Sequence, residues 1–327
     1  MFRTKYISVI LLLSLILPAA ASGQTTDAAA VAKIKDEGMN RSQAMATIRY
    51  LTDVIGARLT NSPAQRRANR WTKERLEKWG LQNAAVDPWG EFGRGWELKR
   101  FSASFSTPNE YMPFRAYPKA WSPATSGAVT GDVVFVEANN EEELAKYKRR
   151  LRGAIVFTAP AREVKPGFDP AATRNTNEAL TRLENATPPA AAAAAAPPGV
   201  VLTPQQAAAQ QFAARKFRFY MEEGAAVLVD SGFGVDAGTI RVMGAALPPQ
   251  ANTGGGSPLP AVPVYSKTAP ATLPQLVAEV EQYNRILRLL KQGVPVKMTI
   301  DLDARFYDDD LQGYNTIAEI PGTDLKD

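Results

Sequence analysis

The sequence contains no histidine and no cysteine among its 327 residues. The first absence excludes Ser-His-Asp and Cys-His catalysis. Together they leave only carboxylates from the ligands that catalytic zinc sites draw on. The chain by itself therefore holds no residue set able to build a catalytic zinc centre, and no catalytic or metal-binding residue is assigned in it. Without cysteine there is also no disulfide framework and no lipid-anchored N-terminal cysteine. A large surplus of one charge sign is absent too: 38 Lys and Arg against 33 Asp and Glu give a formal net charge of +5 and a pI near 9.3. Lys146 to Arg152 is the only dense basic cluster. It follows the acidic Glu141-Glu142-Glu143 on an expected helix, an order that complements the helix dipole. Nucleic acid is not an expected partner.

What is present begins with a secretory signal. Arg3 and Lys5 form a basic start, Ile7 to Leu17 an apolar run, and Ala19 to Gly23 a stretch of small residues that permits cleavage ahead of Gln24. The apolar run is shorter than the about 20 residues that a spanning helix needs, so residues 1–23 read as a cleaved signal peptide. Its removal lowers the net charge by two, to +3. No later stretch is long enough to cross a membrane, and the mature chain is expected to be secreted or periplasmic. The apolar content of 45% and the charged content of 22% are those of a globular protein.

After a poorly specified lead-in, apolar spacing predicts a helix from about Ser42 to Ile55. A second runs from Pro63 to Trp79, with Ser62 as N-cap, Pro63 in the first turn and Gln65 completing a capping box. Its expected buried stripe is Ala68, Trp71, Leu76 and Trp79. Residues 86–105 turn extended. From about 117 to 266 short strands alternate with helices: strands at 132–136, 153–158, 225–230, 240–243 and 261–265, and helices at 141–151 and from Thr203 to near Gly224. A low-complexity insert at about 165–202, centred on the alanine run Ala190 to Ala196, reads as flexible. An amphipathic helix is expected from Leu273 to Gln292. The alternation in Lys297 to Tyr307 predicts a half-buried strand with Met298, Ile300, Leu302, Ala304 and Phe306 facing in. A turn at Asp308 to Gly313 leads to a partner strand at Asn315 to Ile320.

Candidate sites are few. Asp230-Ser231-Gly232 after Val227-Leu228-Val229 matches the way aspartic proteases present a carboxylate, but such a site needs a second one, and no second copy exists. The bland reading is an ordinary turn at a strand end. Asp301, Asp303 and Asp308 to Asp310 read as a solvated strand face and its turn rather than as a metal cluster. The glycines at 232–238 and 253–257 have the spacing of neither a dinucleotide loop nor a phosphate loop.

Three stretches carry a resemblance. They are Ile55-Gly-Ala-Arg-Leu-Thr-Asn-Ser-Pro63, leading through Ala68 to Trp71 and on to Pro88 to Trp96; the strand and helix order of residues 117–266; and Tyr314-Asn-Thr-Ile-Ala-Glu-Ile-Pro-Gly322. Together they resemble the N-terminal part of the zinc-dependent exopeptidases that include plasma-type glutamate carboxypeptidase and bacterial secreted aminopeptidases. The resemblance implies an α/β fold: a protease-associated domain of mixed strands and helices, at 117–266, inserted into an incomplete α/β zinc-peptidase domain. That outer domain takes residues 24–116 and 267–327. The family binds two zinc ions, and the first ligands, a closely spaced His and Asp, follow the equivalent of Pro321-Gly322. By this resemblance they lie after Asp327, so zinc belongs to the full-length protein only.

Two functional classes follow. One is the N-terminal fragment of an exported zinc exopeptidase acting on peptides or dipeptides, with aminopeptidase or carboxypeptidase polarity open. The other is a non-catalytic binding protein built on the protease-associated module. Phe92, Arg94 and Trp96 lie where the N-terminal helices hand over to the inserted domain. Clefts favour domain interfaces, so these three are expected at the edge of the substrate cleft. The competing reading makes both aromatics core.

Overall fold

A computed structural model describes residues 27–168, 170, 172–186, 203–233, 238–248 and 262–322. The segment read as a signal peptide, the alanine run and the glycines at 253–257 lie outside them. The chain divides into two compact units, 1–54 and 55–327.

The first unit is helical where it is described. Its α1 (Ala28–Asn40) falls in the segment read as a poorly specified lead-in. Asp27 caps it by accepting hydrogen bonds from the Ala29 and Ala30 N–H groups, and alanine-rich sequence supplies the propensity. The α2 helix (Ala44–Arg49) passes into a π-helical turn at Tyr50–Ile55. There the Thr52 hydroxyl donates to the Ile48 carbonyl, drawing it from the regular ladder. The apolar spacing in this segment marks a helix but no buried stripe, for Ile48 and Val54 are more than half exposed.

In the second unit, α3 (Pro63–Lys78) is followed by β1 (Gln82–Glu91), β2 (Gly95–Thr107), β3 (Glu110–Pro113) and β4 (Ala116–Pro118). Then come β5 (Val129–Phe135), α4 (Glu141–Ala145), β6 (Ile155–Phe157), α5 (Asn177–Glu184), α6 (Pro204–Glu222) and β7 (Val227–Asp230). The last elements are β8 (Gln275–Ala278), α7 (Val280–Lys291), β9 (Lys297–Tyr307) and β10 (Gln312–Glu319). Eight strands form one sheet in the order β3-β2-β9-β5-β6-β7-β8-β4, and β1 pairs with β10 in a separate two-stranded sheet.

The eight-stranded sheet is parallel from β5 to β8 and antiparallel elsewhere. Alternation along β6 and β7 divides its core. Ile155, Phe157, Val227 and Val229 join Tyr283 and Ile286 of α7 on one face, while Val156 and Leu228 join Leu144 and the α6 residues Phe219 and Tyr220 on the other. This is a mixed α/β fold with helices on both faces of the sheet.

The smaller sheet sets the topology. β1 and β10 are antiparallel, with Glu91 opposite Gln312 and Gly90 opposite Gly313. The Phe92 and Gly93 N–H groups both donate to the Leu311 carbonyl. The chain thus leaves one strand of a hairpin at 92 and returns to the other at 311, carrying the eight-stranded sheet between them. α3 lies against both strands of that hairpin.

Several expectations are corrected. Residues 273–292 are not one helix, since Gln275–Ala278 forms β8 between β7 and β4. All four residues of β8 are buried, and strand pairing on both sides outweighs helical periodicity. α7 begins only after Glu279, whose carboxylate caps the Glu281 and Gln282 N–H groups. Residues 275–307, read as the return of the outer domain, instead supply β8, α7 and β9 to the larger sheet. Residues 240–243 and 262–265 form no strand; among the described residues Gly244 makes an isolated bridge with Ala120, and Ala246 is held by the Gln275 side chain of β8. In α3 the buried residues are Ala64 and Ala68, and Trp79 is 52% exposed. Ser62 caps Gln65 as expected, but the Gln65 side chain accepts from the Asn61 N–H rather than from Ser62. Within the described part of the 165–202 insert, α5 forms with none of its residues buried.

Candidate functional site

The neck between the two sheets is held by Asn61. This residue is 1% exposed and takes a left-handed φ of 61°, a conformation that asparagine tolerates better than most residues. Its Nδ2 donates to the Gly93 carbonyl at 2.8 Å and to the Asp310 carbonyl at 2.6 Å, and its Oδ1 accepts from Arg66 Nη2 at 2.8 Å. Arg66 also pairs with the Asp310 carboxylate at 3.3 Å. A side chain at Gly95 would collide with the Asn61 carbonyl, so the start of β2 passes here only as glycine.

Beside this neck lies a cavity of about 840 Å³. One wall is the loop and first turn around Leu59, Ala64 and Arg67; the floor is Trp96, Glu97 and Leu98 of β2. The far wall is Tyr117, Ala120 and Trp121 with the 240–244 segment. The indole N–H groups do not face a ligand: Trp96 Nε1 donates to the Ser122 carbonyl at 2.8 Å and Trp121 Nε1 to the Arg94 carbonyl at 2.9 Å. The aromatic surfaces are left as apolar walls. Tyr117, Val242 and Met243 are each 40% exposed or slightly more. Glu97 supplies the acidic group: burial raises its pKa, but bonds from Lys99 and the Tyr307 hydroxyl, with the field of Arg67, hold it below the ordinary carboxylate value. An apolar concavity with one acid and one base at its edge suits an apolar side chain carrying a polar end.

The three residues expected at a cleft edge separate here. Trp96 is 4% exposed and lines the cavity. Phe92 stacks on Tyr265 at 4.2 Å and lies 6.1 Å from Trp121, in the aromatic cluster behind the cavity. Arg94 Nη2 donates to the Val264 carbonyl at 3.3 Å, and the guanidinium lies 4.4 Å from the Phe306 ring centre. Burial lowers the Arg94 pKa and Asp308 pulls it the other way. Phe92 and Arg94 do not line the cavity. Asp230 meets Lys119 in an ion pair and accepts the Gly232 N–H at 2.9 Å, the ordinary turn. Asp301 pairs with Arg100 at 3.2 Å, and Asp303 is exposed. Asn61, Arg67, Tyr117 and Trp121 had not been singled out from the sequence. Asn61 alone carried a local signal, an asparagine just ahead of Ser62-Pro63 at a helix start.

No protein-family model matches the sequence, and no curated protein matches it. Among solved structures the chain is similar to a peptidase M28 precursor from Shewanella amazonensis SB2B, with TM-score 0.50 and 17% identity, over 90% of this chain and 54% of that one. It is also similar to BSAP, a zinc aminopeptidase from Bacillus subtilis, at TM-score 0.41 and 10% identity over 86% and 47% of the two chains. An aminopeptidase from Aneurinibacillus sp. strain AM-1 follows at TM-score 0.36 and 14% identity, over 89% and 51%. The chain spans about half the length of these structures. The first likeness establishes the mixed α/β fold as one found in M28 peptidases.

Zinc, which that likeness implies, does not fit the residues present. Among the described residues no three His, Cys, Asp or Glu side chains stand together so as to hold an ion, and the sequence has no His or Cys to add. No helix among the described residues is long and apolar enough to cross a membrane.

Proposed function

We propose that this chain is the N-terminal part of an exported zinc-dependent exopeptidase, with the residues that bind zinc and carry out hydrolysis supplied from outside these 327 residues. The observation that carries the reading is the likeness to the M28 precursor over 90% of this chain but 54% of that one. The β1-β10 sheet supports it. Trp89 and Ile317 on its strands and Ile320 just past it are 50%, 48% and 84% exposed, which is apolar surface that a further layer would cover. On this reading the β1-β10 hairpin opens the peptidase sheet, and residues 92–311 are the inserted protease-associated domain. The cavity at Trp96 then receives part of a peptide substrate, with Phe92 and Arg94 as its backing.

The test uses two proteins, the 327-residue chain without its signal and the product of the complete native gene. Each is assayed on amino-acid anilides and dipeptides and analysed for zinc. The expected result is no turnover and no stoichiometric zinc for the first, with chelator-sensitive turnover and two zinc ions for the second. Chelator-sensitive hydrolysis by the first protein overturns the assignment. If neither protein hydrolyses peptides but both bind them, the non-catalytic binding protein is the better reading. In the active protein, Arg94→Ala is expected to lower kcat/KM by about tenfold, since misplacement behind a substrate site is felt at the chemistry. A loss of stability with unchanged kcat/KM would make Arg94 only a packing residue.

A further inference from the structure

A second cavity lies at the carboxyl ends of β6 and β7 and beside the start of β8, apart from the Trp96 cavity and from any peptidase role. It has a volume of about 210 Å³, and Lys119, Thr158, Lys216, Tyr220, Asp230 and Gln275 contribute to its walls. The end of a parallel strand is where α/β sheets commonly hold ligands.

Most of its polar groups are already committed. Lys119 pairs with Asp230. The Thr158 hydroxyl donates to the Val229 carbonyl at 3.2 Å, and the Gln275 amide donates to the Ala246 carbonyl at 2.7 Å while its oxygen accepts the Ala246 N–H at 2.8 Å. Two groups remain incomplete. Lys216 Nζ, half-buried, donates to the Val136 and Ala138 carbonyls at 3.3 and 3.2 Å. Among the described residues no carboxylate pairs with it, and burial lowers its pKa. Tyr220 is 3% exposed, and its hydroxyl has no hydrogen-bond partner among the described residues. Buried charges are ordinarily paired and buried hydroxyls bonded, because desolvation without a partner is costly. An ammonium without a carboxylate partner and an orphan hydroxyl, four residues apart on α6 in the wall of one small cavity, are therefore complementary to a missing acceptor with negative charge.

The charge count selects the ligand. Two lysines and one aspartate leave the cavity with one unit of positive charge in excess. A monoanion balances that, whereas a phosphate dianion would overshoot it and face the Asp230 carboxylate. Phe217 and Leu228 supply apolar wall. We propose that this cavity binds a small aliphatic carboxylate, its oxygens on Lys216 and Tyr220 and its carbon body against Phe217 and Leu228. The proposal does not depend on the peptidase reading, because neither zinc nor turnover enters it.

The experiment titrates isobutyrate, the neutral isobutyramide and inorganic phosphate into the full chain with a chelator present, following heat of binding and Tm. Isobutyrate is expected to bind saturably and raise Tm, and the amide to do neither. Phosphate is expected to bind more weakly than isobutyrate. Lys216→Met should weaken isobutyrate binding at least about tenfold, the scale of a hydrogen bond to a charged group. Tyr220→Phe is the variant that keeps the fold. Without carboxylate it should raise Tm, since it removes a buried hydroxyl with no partner; with isobutyrate saturating for the parent, that advantage should shrink or reverse. Equal binding of amide and acid, tighter binding of phosphate, or an isobutyrate affinity unchanged in Tyr220→Phe would each overturn the assignment.

Discussion

The hairpin sheet and the eight-stranded sheet treat their large apolar residues differently. In the larger sheet Phe105, Phe157, Ile300 and Tyr283 of its covering helix are at most 1% exposed, packed in a layer where Phe157 and Tyr283 stack at 4.5 Å. Around the hairpin, Trp79, Trp89 and Ile317 stay about half exposed although α3 lies against both strands. The difference lies in cover. The larger sheet has helices on both faces of its parallel part, so β6, β7 and β8 bury both rows of side chains. Among the described elements, α3 is the helix that packs on the hairpin. Stability should accordingly be concentrated in the sheet carried at the tip and be thin in the hairpin that carries it.

The largest effect that tests this contrast is a pair of tryptophan truncations. Trp96→Ala removes a buried indole from the junction of β2 with the 121 region, and by the scale of large-to-small core changes it should cost about 3–5 kcal/mol. Trp79→Ala, at a half-exposed position, should cost within about 0.5 kcal/mol, Arg75 losing only a ring at 5.7 Å. Urea denaturation of the full chain measures both. Equal losses would mean that the hairpin region is as well covered as the larger sheet.

Next in size is the neck. Asn61→Ala removes two bonds donated to backbone carbonyls and one accepted from Arg66 and puts alanine at a left-handed φ, together about 2–3 kcal/mol. Asn61→Gly loses the same bonds without the backbone cost, so it should be the milder change by about 1 kcal/mol. If alanine and glycine are equally damaging, the strain at 61 is absent and the bonds alone hold the neck. Within the larger sheet a smaller effect is expected from Tyr283→Phe. Its hydroxyl donates to the Ala159 carbonyl at 2.7 Å and accepts the Ala159 N–H at 3.0 Å, and losing both should cost about 1–2 kcal/mol. A neutral outcome would show that solvent reaches Ala159.

How much of this was legible follows from where the determining contacts lie. The start of α6 at Thr203 was legible, and the structure gives it a capping box with Gln206, in which every partner is within three residues. The alternation of β9 placed Met298, Ile300 and Leu302 inside for the same reason, period two being a local property. β8 could not be read that way, since Leu276 and Val277 are strand residues only by virtue of β7 and β4, which come from distant sequence. Ile240–Met243 erred in the opposite sense: its composition suits a strand, but apart from the Gly244 bridge no neighbour pairs with it among the described residues. At the candidate site Trp96 was legible as an aromatic at a domain handover. Arg67, Tyr117 and Trp121 were not, for the cavity exists only once β2, the segment after β4 and the first turn of α3 are brought together.

The smallest expected effect concerns Asp310, which separates main-chain from side-chain contributions at the neck. Its carboxylate accepts the Gln312 N–H at 2.9 Å and the Tyr314 hydroxyl at 2.9 Å, and it pairs with Arg66. The Gln312 bond is the largest influence, and together with Tyr314 and Arg66 it lowers the pKa below the ordinary aspartate value against the opposing pull of burial. A depressed native pKa contributes stability that is fully present above the unfolded value, about 3.9, and is lost as pH falls through the native value. Asp310→Asn leaves the carbonyl that Asn61 and Arg66 use and removes the charge together with one of the two acceptor oxygens. Because the side chain is 29% exposed, solvent screening should keep its worth under about 1 kcal/mol. The parent should therefore exceed Asp310→Asn by a small, constant margin at neutral pH, and the margin should close below pH about 4. Denaturant midpoints of both proteins across that range decide it. A margin that is flat down to full protonation would assign the neck to Asn61 and the two carbonyls alone, with no share for the Arg66–Asp310 ion pair.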